Sequence, residues 1–199
     1  IHGTELTLDD GSHLPVLARN PTGYRRLVSA ISQHNLNVGQ RREPAHDLPA
    51  LASALRSDPT GQTEGAVGTC LVLTGTANGP LRRALGDPRR PGTWDLKAAD
   101  ACLGRLTELF AAPDRGRPPG SPTSTAHPQV EGDAAIGLAV ELTLDGGPTD
   151  AALTDTLTRL AHAHRLPIVA TGAVRCARPT DARLADVLTS TRLVTDLEG

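Results

Sequence analysis

Short apolar runs of strand length alternate with helical stretches along most of this chain, and this alternation constrains the fold more than any other feature. The runs at 70–74, 136–144 and 168–171 have the length and apolar character of buried strands. Two further short strands, at 1–8 and 13–18, flank a turn and predict a hairpin. Strands that alternate with helices predict an α/β domain with a largely parallel sheet.

Helix signals fill the gaps between these runs. The clearest is the amphipathic stretch Leu96–Phe110, whose apolar residues recur on one face. Thr149 and Asp150 can cap a helix that follows them. The first predicted helix begins at Asn20 and is followed by a polar loop at 35–47. Further helices are predicted at 48–55, 80–85, 96–110, 151–164 and 180–188.

One segment does not fit this pattern. Residues 112–133 contain five prolines and few apolar side chains. Such a composition cannot bury enough apolar surface to form a core. We therefore expect a Pro-rich, disordered or mobile insert at 112–133, within a single domain that spans 1–199.

The composition excludes several classes of protein. Aromatic residues make up 2% of the chain, which disfavours a stacking platform for single-stranded nucleic acid. The formal net charge of −2 gives no overall basic surface for DNA or RNA. No apolar run approaches the length of a membrane span, so we expect no membrane partner.

The three cysteines are widely spaced and form no CxxC pair. An odd number with this spacing argues against a disulfide framework and against a zinc knuckle, and it fits a reduced, cytoplasmic location. The chain contains no Met and enters a strand-like run directly at Ile1. This abrupt start predicts a segment of a longer polypeptide.

The loop after the last strand is where an open α/β fold usually places its chemistry. Here Gly172, Ala173 and Arg175 follow the strand, and none of them is a metal ligand or a general base. Cys176 could be a reactive thiol, although a half-buried structural cysteine is the simpler interpretation. Arg175 with Arg178 and Arg183 could contact a phosphate backbone or form a solvated basic edge.

Several stretches, taken in order, resemble the PHP domain at the front of bacterial family C replicative DNA polymerases, closest to the error-prone, damage-tolerance branch. The resemblance covers nearly the whole chain except the Pro-rich insert. The stretches that carry it are GTELTL at 3–8, HLPVLARNPTGYRRL at 13–27, LVLTGT at 71–76 with GPL at 79–81, VELT at 140–143, and LPIVAT at 166–171.

The resemblance implies a partial, distorted (βα) barrel with a metal cluster at the carboxyl ends of its strands. It implies that Glu5 and His13 match two of the family's ligands. It also implies that Thr76, Ala173 and Arg175 occupy ligand positions that this sequence has lost. Alanine cannot coordinate a metal, and arginine is a permanent cation that would repel one.

Three hypotheses follow. The leading one is a PHP segment of an error-prone DNA polymerase that acts in damage-induced replication and repair. This segment would be structural and without its own cofactor, and the resemblance implies Mg²⁺ in the parent enzyme. The implied partners are a DNA primer–template, a sliding clamp and damage-response accessory proteins. The alternatives are a free-standing metal-dependent phosphoesterase and a non-catalytic remnant or interaction module.

Overall fold

The computed structural model describes residues 2–38, 45–57, 69–87, 89–110, 136–144, 146–172, 174 and 178–194. Within these ranges the chain forms five strands and six α-helices. The strands are β1 (His2–Thr7), β2 (His13–Ala18), β3 (Cys70–Leu73), β4 (Ile136–Leu142) and β5 (Ile168–Ala170). The helices are α1 (Pro21–Val38), α2 (Leu48–Arg56), α3 (Pro80–Leu85), α4 (Leu96–Phe110), α5 (Asp150–Ala163) and α6 (Ala182–Leu193).

Helix starts follow local capping chemistry. The Asn20 side chain accepts a hydrogen bond from the Gly23 amide at 2.8 Å, which satisfies one of the free donors at the start of α1. Asp47 does the same for α2 through the Ala50 amide at 3.0 Å. Thr149 stands at the start of α5, but its side chain makes no capping bond. Thr149 is thus the N-cap residue of α5, as predicted, but without a side-chain cap.

The five described strands form one open sheet in the order β1-β2-β3-β4-β5. The β1–β2 and β2–β3 pairs are antiparallel, whereas β3–β4 and β4–β5 are parallel. The predicted hairpin is thus confirmed, and the sheet is mixed because β2 runs against the other four strands. As a result, β1, β3, β4 and β5 end at the same edge of the sheet, and β2 begins there.

The register places the core on one face. Leu6 pairs with Leu14, Val16 with Val72, and Val72 with Leu138, so these side chains share a face. They form one hydrophobic cluster with residues of α1, α2 and α4. Val140, further along β4, belongs to a second cluster with residues of α3, α4 and α5. Helices therefore cover the even-numbered face, and the odd-numbered face carries the polar side chains discussed below.

A glycine fixes how closely α1 approaches the sheet. A Cβ added to Gly23 would lie 1.9 Å from the carbonyl oxygen of Thr69, just before β3. No side chain can occupy that space. The sequence Pro21-Thr22-Gly23 therefore both starts the helix and allows its first turn to contact the neighbouring strand.

Three predicted elements need correction. The loop predicted at 35–47 is wrong at its start, because α1 continues to Val38. The strand predicted at 168–171 is not fully buried, since Ile168 and Val169 are half-buried and Ala170 is exposed. The helix predicted at 180–188 begins at Ala182 after a 3₁₀ turn and continues to Leu193.

The sheet observed here confirms an α/β domain, whereas closure into a barrel stays a prediction. The Pro-rich insert at 112–133 lies outside the described residues. No helix within the described ranges is long and apolar enough to cross a membrane.

Candidate functional site at one edge of the sheet

Two predicted site residues meet at the edge where β1 ends and β2 begins. Thr7 pairs with His13, and Glu5 stands two residues earlier on the same face of β1. The Nδ1 atom of His13 lies 3.2 Å from Oε1 of Glu5, and the side chains are 37% and 52% exposed. The sequence therefore identified two side chains that the fold brings into contact.

The loop after β3 supports this pair from the neighbouring strand. The His13 amide donates a hydrogen bond to the carbonyl oxygen of Asn78 at 2.8 Å. Gly75 has a φ of +82°, and a Cβ there would lie 2.6 Å from the carbonyl oxygen of His13. Thr76 lies in this same loop and is half-buried. It therefore presents a neutral hydroxyl near the edge, where a cysteine would present a stronger metal ligand.

Two hydrogen bonds to Asp10 stabilise the hairpin turn beside His13. The Ser12 amide donates to Oδ1 of Asp10 at 2.7 Å, and Nη1 of Arg83 on α3 donates to the Asp10 carbonyl oxygen at 3.0 Å. Burial raises the pKa of Asp10, but the Ser12 hydrogen bonds and the Arg83 charge outweigh it, so the pKa is lowered. Asp10 is therefore ionised at neutral pH and fixes the turn.

A buried carboxylate lies at the same edge and has no role in the sequence-based predictions. Glu141, near the end of β4, is 5% exposed. Its Oε1 accepts a hydrogen bond from the Thr171 hydroxyl at 2.5 Å, and its amide donates to the Thr74 hydroxyl at 3.0 Å. Its Oε2 is among the buried atoms without a partner in the described chain. The sequence feature that could have identified Glu141 is its position as the one acidic residue in the apolar run 136–144.

Thr143 lies just past the end of β4, two residues after Glu141. The buried Arg82 of α3 donates from Nη1 to the Thr143 hydroxyl at 3.5 Å. The polar face of this edge thus combines a buried carboxylate, a buried guanidinium and threonine hydroxyls. The hydrogen bonds of Glu141 with Thr74 and Thr171 connect the carboxyl ends of β3, β4 and β5.

These groups do not add up to a metal centre. The described ranges contain no cluster of three or more His, Cys, Asp or Glu side chains placed to hold a metal ion. Glu5 and His13 supply two ligands and already contact each other. Catalytic metal sites ordinarily need at least three protein ligands. The described residues therefore do not fit the metal cluster that the resemblance implies.

The remaining predicted residues divide into two groups. Ala173, Arg175 and Cys176 lie outside the described residues. Arg178 and Arg183 are exposed, and contact with phosphate stays a prediction for them.

The two cysteines that the structure describes are not poised for reaction, because burial raises the pKa of the Cys70 and Cys102 thiols.

His162 and His164 lie two residues apart at the end of α5 and have different surroundings. His162 is exposed on α5. The Nε2 atom of His164 lies 2.8 Å from Oδ1 of Asp100 and connects α5 to α4. These histidines therefore belong to the helical layer and not to the sheet edge.

The chain is similar to several bacterial proteins named error-prone DNA polymerase. It is 34% identical over 182 residues to the protein of Nocardia farcinica and 34% identical over 183 residues to that of Cutibacterium acnes. It is 30% identical over 196 residues to the protein of Mycolicibacterium paratuberculosis. These matches cover 92–98% of the chain and 12–14% of the length of the relatives.

No protein-family model matches the chain. The relationship of this chain to known proteins therefore rests on its similarity to the polymerases. It extends along the chain from the β1–β2 edge to the carboxyl-terminal helix, because up to 98% of the residues are matched. Over nearly its whole length, the chain is therefore similar to a segment of these error-prone DNA polymerases.

Proposed function

We propose that this chain is the PHP-domain segment of an error-prone family C DNA polymerase, and that its own role is structural. The observation that carries the proposal is the match of 92–98% of the chain to polymerases of which it spans only 12–14%. In this proposal the parent enzyme works in the cytoplasm on a DNA primer–template. It uses Mg²⁺ held by other parts of the polypeptide.

The edge described above would then brace the polymerase without performing chemistry. Glu5 and His13 are interpreted as remnants of a metal site, with Thr76, Ala173 and Arg175 at the lost ligand positions. The contact between His13 and Glu5 supports a remaining structural use for both side chains. A sliding clamp and damage-response proteins are proposed as partners of the whole enzyme.

The test uses the native polypeptide that contains this segment. We expect a product several times longer than 199 residues that extends a primer on a template with Mg²⁺. Glu5→Ala together with His13→Ala should leave extension unchanged, because neither side chain belongs to the polymerase centre. A native product of the length of this chain, or one without extension activity, would contradict the proposal.

A metal-dependent phosphoesterase is the second candidate, and the Glu5–His13 pair at the strand ends is the observation in its favour. It predicts stoichiometric Zn²⁺ or Mn²⁺ and cleavage of a phosphodiester. In that case Glu5→Ala and His13→Ala should each abolish turnover. Retained turnover in these variants would exclude this candidate.

A further inference from the structure

The last helix, α6, exposes three of its apolar side chains. Leu184 and Leu188 are each 62% exposed and Val187 is 47% exposed. They recur at i, i+3 and i+4, which places them on one side of the helix. We call these three residues the α6 stripe. Exposed apolar residues scattered singly are ordinary, whereas a contiguous stripe marks an interaction surface.

Two smaller residues flank the α6 stripe on one side. Ala185 and Thr189, four residues apart, are half-buried. At 100° per residue, Ala185 lies about 60° and Thr189 about 100° around the helix from Leu188. Neither hydrophobic cluster of the described chain contains a residue of α6. Among the described side chains of α6, the larger apolar ones are therefore more exposed than Ala185 and Thr189.

We infer that the α6 stripe is the surface by which this segment docks on another part of the same polymerase polypeptide. The inference rests on the proposed function. The partner it commits to is an apolar groove or helix face of the parent chain, because a stripe at i, i+3 and i+4 is the pattern that such grooves accept.

The relatives supply the argument for this partner. The match to the Mycolicibacterium paratuberculosis protein covers 98% of this chain, which includes α6, but only 14% of that protein. Most of the parent polypeptide is thus available to cover a helix face that the described residues leave exposed. A second copy of the segment is the competing occupant, and the test must separate the two.

The experiment measures amide hydrogen exchange of the peptide 182–194 in the full-length native product. The test variant combines Leu184→Gln with Leu188→Gln, which removes the apolar side chains and keeps a good helix former. The control is Asp186→Gln, a substitution on the same helix but outside the α6 stripe. Primer extension and native mass are recorded for all three proteins.

We expect α6 amides to exchange at least tenfold faster in the test variant than in the wild type, at every protein concentration, with the control like the wild type. Equal exchange in all three proteins, with primer extension intact, would overturn the docking surface and leave the proposed function standing. Protection that increases with protein concentration would identify a second copy as the occupant and also overturn the inference. A native product no longer than this chain, or one without primer extension, would overturn the proposed function first, and the docking surface with it.

Discussion

His13 Nδ1 lies 3.2 Å from Glu5 Oε1 at the edge where β1 ends and β2 begins. The two residues are a diagonal pair in an antiparallel hairpin, a position from which side chains of adjacent strands can reach each other. Each side chain therefore has a polar partner within the hairpin itself. Both side chains are more than a third exposed, and this exposure limits what the pair contributes to stability.

The first prediction concerns the stability that this pair provides. Replacing Glu5 with Ala should lower the free energy of unfolding by less than about 1 kcal/mol, because exposed ion pairs are screened by water and salt. Urea unfolding of the native protein measures the change. Glu108→Ala, which removes an exposed acid on α4, is the control. A loss of several kcal/mol from Glu5→Ala would show that the pair has a larger role than its exposure allows.

The second prediction concerns the buried carboxylate of Glu141. Thr171→Val removes the hydroxyl that donates to Oε1 at 2.5 Å and leaves both carboxylate oxygens without a described partner. We expect a loss of about 1–3 kcal/mol in unfolding free energy, since a buried acceptor would be left unsatisfied. Denaturant unfolding is the measurement.

Thr171→Ser is the matched control, because it keeps the donor and should cost less than Thr171→Val. A double-mutant cycle that combines Thr171→Val with Glu141→Gln isolates the interaction between the two side chains. Loss of the Thr171 hydroxyl should cost less in the Glu141→Gln protein than in the wild type, because an amide oxygen is a weaker acceptor than a carboxylate. Equal losses for Val and Ser at position 171 would mean that the hydroxyl does not stabilise Glu141.

The third prediction concerns the contact between α1 and the start of β3. Gly23→Ala places a Cβ 1.9 Å from the Thr69 carbonyl oxygen, so the backbone must move. We expect a loss of about 1–3 kcal/mol, the usual cost of forcing extra volume into a packed site. Thermal unfolding checks it against Gly92→Ala, where nothing lies within 4 Å of the added Cβ. A Gly23→Ala protein as stable as Gly92→Ala would contradict the close approach.

The sequence predicted elements well where a periodic apolar pattern decided them. The boundaries Leu96–Phe110 agree with α4, because its buried residues repeat every three or four positions. The hairpin was equally clear from its alternation and its turn. The end of α1 was misplaced, since residues 35–38 read Asn-Leu-Asn-Val and alternate polar with apolar side chains instead of repeating at helical spacing, while the helix continues through them.

The candidate site was only partly predictable. Glu5 and His13 were found through the family resemblance, because nothing in their local pattern separates them from ordinary strand residues. Glu141 was given no role, since its importance depends on burial and on Thr171, which is 30 residues away. The orientation of α6 was also hidden, because an amphipathic pattern does not tell which side meets the core.

The last prediction is a pH dependence that originates in His46. Burial and the neighbouring His34, whose ring centroid is 4.0 Å away, lower the pKa of His46 in the folded protein. The unfolded chain, with a pKa of about 6.5, then binds more protons than the folded chain below that pH. Stability should therefore fall as the pH drops from about 6.5 through the lower folded-state pKa, and urea unfolding across that range measures it. His46→Phe should reduce the slope, and an unchanged slope in His46→Phe would assign the effect elsewhere.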